Sequence, residues 1–130
     1  MNKINLVGRI LDVYNRQTIN SLMTSIQTEI NSAADGYLFP VMPVTSAYTV
    51  SLNDAFVPVN ATSGAVTVTL PKVDECKGKM IIIKKTDASA NAVTVDGDGS
   101  ETIDGATTNA LASQYDSVTL MSDGTQWLIV

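Results

Sequence analysis

The chain has 130 residues, 45% of them apolar and only 16% charged, with a formal net charge of −5. That size suits one modest domain with an accessory element, and the composition argues against disorder and against a general affinity for nucleic acid. With no histidine and a single cysteine, Cys76, the sequence excludes a Ser-His-Asp triad, a Cys-His pair, a Cys/His zinc site and an intrachain disulfide.

The chain opens on an apolar-rich leader, Ile4, Leu6, Val7, Ile10, Leu11, Val13 and Tyr14, interrupted by Gly8 and Arg9. A secretory signal needs an unbroken apolar run of roughly 7–15 residues and a membrane span about 18. Neither is present, and one free thiol fits a reducing compartment. The expectation is a protein made and used without secretory export, with no membrane partner. The leader reads as an anchor that inserts into another protein.

From Asn15 to Ala34 there is no glycine or proline. Ile19, Met23, Ile26, Ile30 and Ala33 follow one another at alternating spacings of four and three, the a/d seam of a short coiled coil. Leu22 widens the stripe, Asn15 or Thr18 can cap its start, and Asp35-Gly36 is a stop signal. An amphipathic helix lying on its own domain and a bundle of the same helix from several chains both fit, and the bundle is the favoured arrangement. A seam of Ile and Met with no Asn or Lys inside it leans toward a trimer. Two heptads cannot associate stably alone, because isolated helices of about 12–15 residues are marginal. Residues 1–36 are thus expected to form an anchor and helical stalk.

Residues 37–46 form a junction. Pro40 and Pro43 forbid a continuous helix, and Tyr37, Leu38, Phe39, Val41 and Met42 are too apolar for a free linker, so the segment is expected to pack against something.

Residues 47–130 read as a β module that carries five lysines against ten acids. Tyr48–Ser51 alternates, and Phe56–Val59 reads as an edge strand because Pro58 cannot donate to a ladder. Ala65–Leu70 alternates strictly, with Val66, Val68 and Leu70 on one face and threonines on the other. Met80-Ile81-Ile82-Ile83 is apolar on both faces; either it is a central strand or the outward face, with Ile82, is a subunit interface. Ala92–Val95 and Thr102-Ile103 follow. Ser117–Met121 and Gln126–Val130 flank Ser122-Asp123-Gly124-Thr125, a hairpin signal. Roughly seven or eight short strands point to a small antiparallel β-sandwich or partly open barrel. The fold class expected is therefore mainly β behind an N-terminal helix, as a trimer.

From Val66 onward the sequence resembles a β domain of tailed-bacteriophage fibre and appendage proteins. The resemblance rests on Val66-Thr67-Val68-Thr69-Leu70-Pro71, on Gly78-Lys79 leading into Ile81 to Asp87, on Ser89-Ala90-Asn91, on Thr102-Ile103-Asp104-Gly105, on Gln114-Tyr115, and on Ser122 to Trp127. It implies a virion structural module, often trimeric, acting as connector or tip. Members of that family are usually larger, with the module near the C-terminus. A head (capsid) fibre and a tail-fibre adaptor both remain open.

Each candidate chemical site has a plain structural account. Asp96, Asp98, Glu101 and Asp104 are the densest acidic group, but they lack the spacing of an EF-hand loop, and Gly97 and Gly99 between them read as a tight turn. Asp96 and Glu101 can reach the separation of a glycosidase pair, as can any acidic hairpin, but with only one Trp, four Tyr and two Phe a sugar-lined cleft would be poorly furnished. Trp127 is expected in the core beside Val118 and Leu120. Tyr115, in the polar stretch Ser113–Asp116, is the one candidate ligand contact, although its hydroxyl is expected to bond backbone. Cys76 reads as an incidental loop thiol with no base to activate it, and Lys84-Lys85 as a mere dipeptide.

The expected function is non-enzymatic, with no cofactor, metal or catalytic residue: an oligomeric virion structural protein, assembled in the bacterial host cytoplasm. Its partners are further copies of itself, through Ile19, Met23, Ile26, Ile30, Ala33 and Ile82, and other virion proteins, through the N-terminal segment. The alternatives are a module that binds a host receptor or surface glycan, and a monomeric capsid decoration protein.

Overall fold

A computed structural model describes residues 16–34 and 39–130 of the chain. The leader, the Asn15 cap, the Asp35-Gly36 stop signal and the Tyr37-Leu38 start of the junction lie outside the described residues. The chain divides into two compact units, Met1–Leu38 and Phe39–Val130.

In the first unit, α1 spans Arg16–Ala34. The hydroxyls of Thr24, Ser25 and Thr28 donate to the carbonyls of Asn20, Ser21 and Thr24, one turn back, at 2.8, 3.0 and 2.9 Å. Such back-bonding satisfies the hydroxyls without strengthening the helix, and Thr, Ser, Asn and Ile are middling helix formers. Helix α1 therefore depends on what its apolar stripe packs against.

The second unit is mainly β. Its strands are β1 (Tyr48–Thr49), β2 (Phe56–Val59), β3 (Val66–Thr69), β4 (Met80–Lys85), β5 (Val93–Asp96), β6 (Thr108–Leu111), β7 (Ser117–Ser122) and β8 (Trp127–Ile129), with a 3-10 turn at Val73–Glu75. They form two four-stranded sheets, β1-β3-β5-β6 and β2-β4-β7-β8. From β1 to β5 the chain crosses from one sheet to the other at every strand. Its pairs there, β1 with β3, β2 with β4 and β3 with β5, are all parallel. Isolated parallel bridges from Val41 to Phe56 and from Val44 to Val59 add a further segment beyond β2. Only β6, β7 and β8 pair antiparallel to their neighbours.

The antiparallel module expected from the sequence is therefore corrected to two mixed sheets. Alternation tells which face a residue occupies but not the direction of its neighbour. Parallel partners need a crossover of a dozen or more residues, and here each crossover is itself a strand of the opposite sheet. Two local readings also change. Strand β6, in the weakly patterned Thr108–Leu111, was not anticipated, and around Thr102-Ile103 only isolated bridges from Ile103 to Ala106 and Trp127 form.

The segment before β1 closes one end. Met42 and Val44 donate to the Phe56 and Pro58 carbonyls at 2.8 and 2.9 Å, and Asn60 donates back to Val44. The nitrogen of Pro43 falls on the far side, where it offers no N–H, so this edge resists the addition of another strand. Pro58 itself stands on the side of β2 that faces this segment. The β7–β8 turn forms as its Asp-Gly signal requires. The Asp123 carboxylate accepts the N–H groups of Thr125 and Gln126 at 2.7 and 2.8 Å, and Gly124 takes a φ of +95°.

Both sheets turn their alternate residues into one apolar core. Val57, Val59, Ile81, Ile83, Val118, Leu120 and Trp127 come from one sheet, and Val66, Val68, Val93, Val95 and Leu111 from the other. Cys76 closes the core at the end of the 3-10 turn, with its thiol donating to the Lys72 carbonyl at 3.0 Å. It is a buried residue, not an incidental loop thiol, and burial pushes its pKa up.

Candidate functional site

The two sheets differ in what they turn outward. In the first, ladder register aligns Thr67 with Thr94 and Ala110, and Thr49 with Thr69, Asp96 and Thr108. This is a hydroxyl-covered face of the kind that water solvates. In the second, one row runs Val41, Phe56, Ile82, Thr119, and the next runs Met80, Met121, Leu128. A third row, Pro58, Lys84, Ser117, ends the face. Val130 continues the first row through its N–H to the Thr119 carbonyl at 3.0 Å. Of these, Val41 and Val130 are 56% and 65% exposed, and Phe56, Ile82, Met121 and Leu128 are half-buried. Phe39, just ahead of the first row, is 60% exposed.

This face has a simple origin. Strand β4 is apolar at consecutive positions, so its inward Ile81 and Ile83 reach the core while Met80 and Ile82 face out. The paired strands repeat the pattern, placing Phe56, Met121 and Leu128 beside them. Scattered exposed apolar residues need no explanation; here the rows align across four strands into one contiguous apolar patch.

Ile82, expected at a subunit interface, sits in the middle of this face. The helix seam belongs to the first unit. Met23 and Ile26 are 64% and 47% exposed and Ile19 is half-buried; the side chains of Ile30 and Ala33 lie outside the described residues.

Tyr115 occupies a tight turn between β6 and β7. The Asp116 carboxylate accepts the N–H groups of Ala112 and Ser113 at 3.1 and 2.8 Å, and the Tyr115 N–H donates to the Lys85 carbonyl at 2.8 Å. These bonds hold Tyr115 at a φ of +69°, a left-handed conformation that a bulky side chain rarely adopts. Its ring is 62% exposed, with the Lys84 ammonium 5.6 Å from the ring centroid and 3.1 Å from its carbonyl oxygen. Its hydroxyl makes no hydrogen bond among the described residues, contrary to expectation, and the residue stands exposed. Trp127 is fully buried in the core as expected, and its indole N–H has no partner among the described residues.

Two of the four acidic residues of this group, Glu101 and Asp104, accept backbone N–H groups. Glu101 accepts the Val73 N–H at 3.1 Å, and Asp104 accepts the Ile129 N–H at 3.2 Å. Gly97 lies so close to the Glu101 carbonyl that a Cβ there would clash with its oxygen. No cluster of three metal-ligating side chains occurs among the described residues.

One site went unnoticed in the sequence. Lys85 is fully buried, with its ammonium 2.8 Å from Asp87 Oδ1. Asp87 also accepts the N–H groups of Ala61 and Ser89, at 2.7 and 2.9 Å, and the Ser89 hydroxyl. The Lys85 ammonium, then the Ser89 hydroxyl, hold the Asp87 carboxyl well below the usual carboxylate range. The signal was parity: Lys85 shares the inward face of β4 with Ile81 and Ile83. This pair clasps the loops after β2 and β4 together. Asp54 is a smaller counterpart: burial pushes its pKa up, but the Tyr48 hydroxyl at 2.7 Å and the Ser51 N–H at 2.8 Å bring it below the normal range.

Two shallow grooves of about 400 and 410 Å³ meet at Leu52 and Glu75; Cys76, Lys77 and Lys79 line the first, and Pro71, Lys72 and Asp98 the second. No protein-family model matches this sequence, and no curated protein matches it.

Proposed function

We propose that this chain is a non-enzymatic structural protein of a bacteriophage particle, forming an oligomeric fibre or appendage of head-fibre or tail-adaptor type. The observation that carries the reading is the contrast between the two outward faces: threonine-covered on one sheet, aligned Val, Phe, Ile, Met and Leu on the other. A chain that exposes such a face gains free energy by covering it, at roughly 25 cal/mol per Å² of apolar surface. The helix seam of Ile19, Met23 and Ile26 offers a second apolar stripe of the same kind. A trimer is the favoured state, with the helices forming a short coiled coil and the β modules being small sandwiches.

The virion assignment rests on the resemblance of residues 66–127 to phage fibre modules. In this reading the N-terminal segment joins other virion proteins, and the protein assembles in the host cytoplasm. Light-scattering mass tests the core of the proposal. Full-length protein at micromolar concentration should weigh as an oligomer; a monomer would sink the fibre reading and favour a decoration protein. Antibody labelling of purified particles in the electron microscope tests the location, and unlabelled particles would refute it.

A second reading, a glycan- or receptor-contacting tip, is favoured by one observation: the strained, exposed Tyr115 with the Lys84 ammonium against its ring. Glycan-array binding lost in a folded Tyr115→Ala variant would support it, and an array without signal for the unsubstituted protein would refute it.

A further inference from the structure

We propose that the apolar face of the β2-β4-β7-β8 sheet packs against the same face of other copies of this chain around a rotation axis, leaving the threonine face outermost. This rests on the self-assembly reading above and adds which surface meets which.

The aligned rows contain no Asp or Glu side chain, although the chain carries a net charge of −5. A basic partner would find no acidic side chain in these rows to pair with. The chemistry that fits is another uncharged apolar face, and the same face on a second copy is one. The threonine face is a poor complement, because its hydroxyls would be buried against Ile82 and Met80 without hydrogen-bond partners. Symmetry follows from this choice. Like face on like face about an axis closes, whereas threonine face on apolar face runs head to tail and can grow into filaments.

The one charged side chain in these rows is placed for closure. Lys84 lies in the end row, and its ammonium is drawn to the Tyr115 carbonyl at 3.1 Å. Like charges from neighbouring copies are therefore held at the rim, beside Tyr115, while the central rows stay uncharged. Four strands about 4.8 Å apart and rows about 6.6 Å apart give a face of about 350 Å². A stable interface buries about 800 Å² per partner. The face therefore needs a second contact, which the exposed seam of α1 supplies.

Two single cysteines in the full-length chain test the arrangement, Thr119→Cys on the apolar face and Thr67→Cys on the threonine face. Sheets packed face to face stand about 10 Å apart, so a bismaleimide of about that reach is the suitable cross-linker. The buried Cys76 thiol is present throughout, and the unsubstituted chain is the control. The expected result is a covalent dimer from Thr119→Cys and none from Thr67→Cys, with unchanged mass by light scattering before cross-linking. Cross-linking that appears only when the two variants are mixed would overturn the proposal in favour of head-to-tail packing. An oligomer that cross-links at neither position would overturn it too, while leaving self-assembly standing. A monomeric unsubstituted chain would remove the self-assembly reading itself.

Discussion

Replacing Ile82 by alanine separates assembly from folding, because Ile82 faces outward from the middle of the apolar face. In the single chain its side chain is half-buried between Phe56 and Thr119. Burying an isoleucine completely contributes about 1.5–3 kcal/mol, so covering the remaining half contributes about 1 kcal/mol per copy. Three copies in a trimer then lose about 3 kcal/mol, or about a hundredfold in the association constant. For a monomer–trimer equilibrium the midpoint concentration varies as the square root of that constant, so Ile82→Ala should raise it about tenfold. Sedimentation equilibrium over a concentration series reads the midpoint directly. The matched control is Thr67→Ala on the opposite face, which should leave it unchanged. Within the chain the lost packing should cost about 1–2 kcal/mol, seen as a modest fall in melting temperature at a concentration where both proteins are monomeric. An unchanged midpoint in a folded Ile82→Ala protein would refute the reasoning, because this face would then be uncovered in the oligomer. An equal shift from Thr67→Ala would refute it as well.

Other perturbations probe the remaining parts. Ile26→Asp should dissociate the oligomer while leaving the β-module's circular dichroism and melting intact; a variant that stays trimeric would show that the β module alone carries assembly. The Asp87 carboxyl is held below its unfolded pKa of about 3.9, so the stability it contributes is complete above that value and is lost as pH falls below about 4. Acid titration of unfolding should show this loss, and Asp87→Asn should flatten it; an unchanged acid limb would remove the Lys85–Asp87 clasp from the account. Gly97→Ala should destabilise the module through its clash with the Glu101 carbonyl, by about 1–3 kcal/mol, checked by urea unfolding; an unchanged midpoint would contradict that close approach. Cys76 should react with a thiol reagent only as fast as the protein unfolds; rapid labelling of the native protein would contradict its burial.

Several features were legible because they depend on neighbours in sequence. Val66, Val68 and Leu70 alternate with threonines, and the structure buries the three apolar side chains. The Ser122–Thr125 turn carries its own instructions in the Asp123 carboxylate and Gly124. The double-sided apolar character of Met80–Ile83 was visible too, and with it the suggestion that Ile82 faces a partner. The Lys85 clasp was missed although its parity was in plain sight: a lysine in phase with two inward isoleucines must find a buried anion, and Asp87 lies two residues away. Strand β6 was missed because Thr108-Asn109-Ala110-Leu111 has little alternation of its own and is a strand by virtue of pairing with β5.

By itself, then, the sequence determined which side of each strand is apolar, where the tight turns fall and where a helix can run. These are set by period, by side-chain volume and by the φ that a residue tolerates, all within a few positions along the chain. Only the tertiary structure decided that β1 to β5 wind in parallel between two sheets, since strand direction depends on where a crossover of a dozen or more residues finds its partner. That winding is also what places Phe56, Ile82 and Thr119 in one row. A continuous apolar face is a property of register between distant segments, and no single strand carries it.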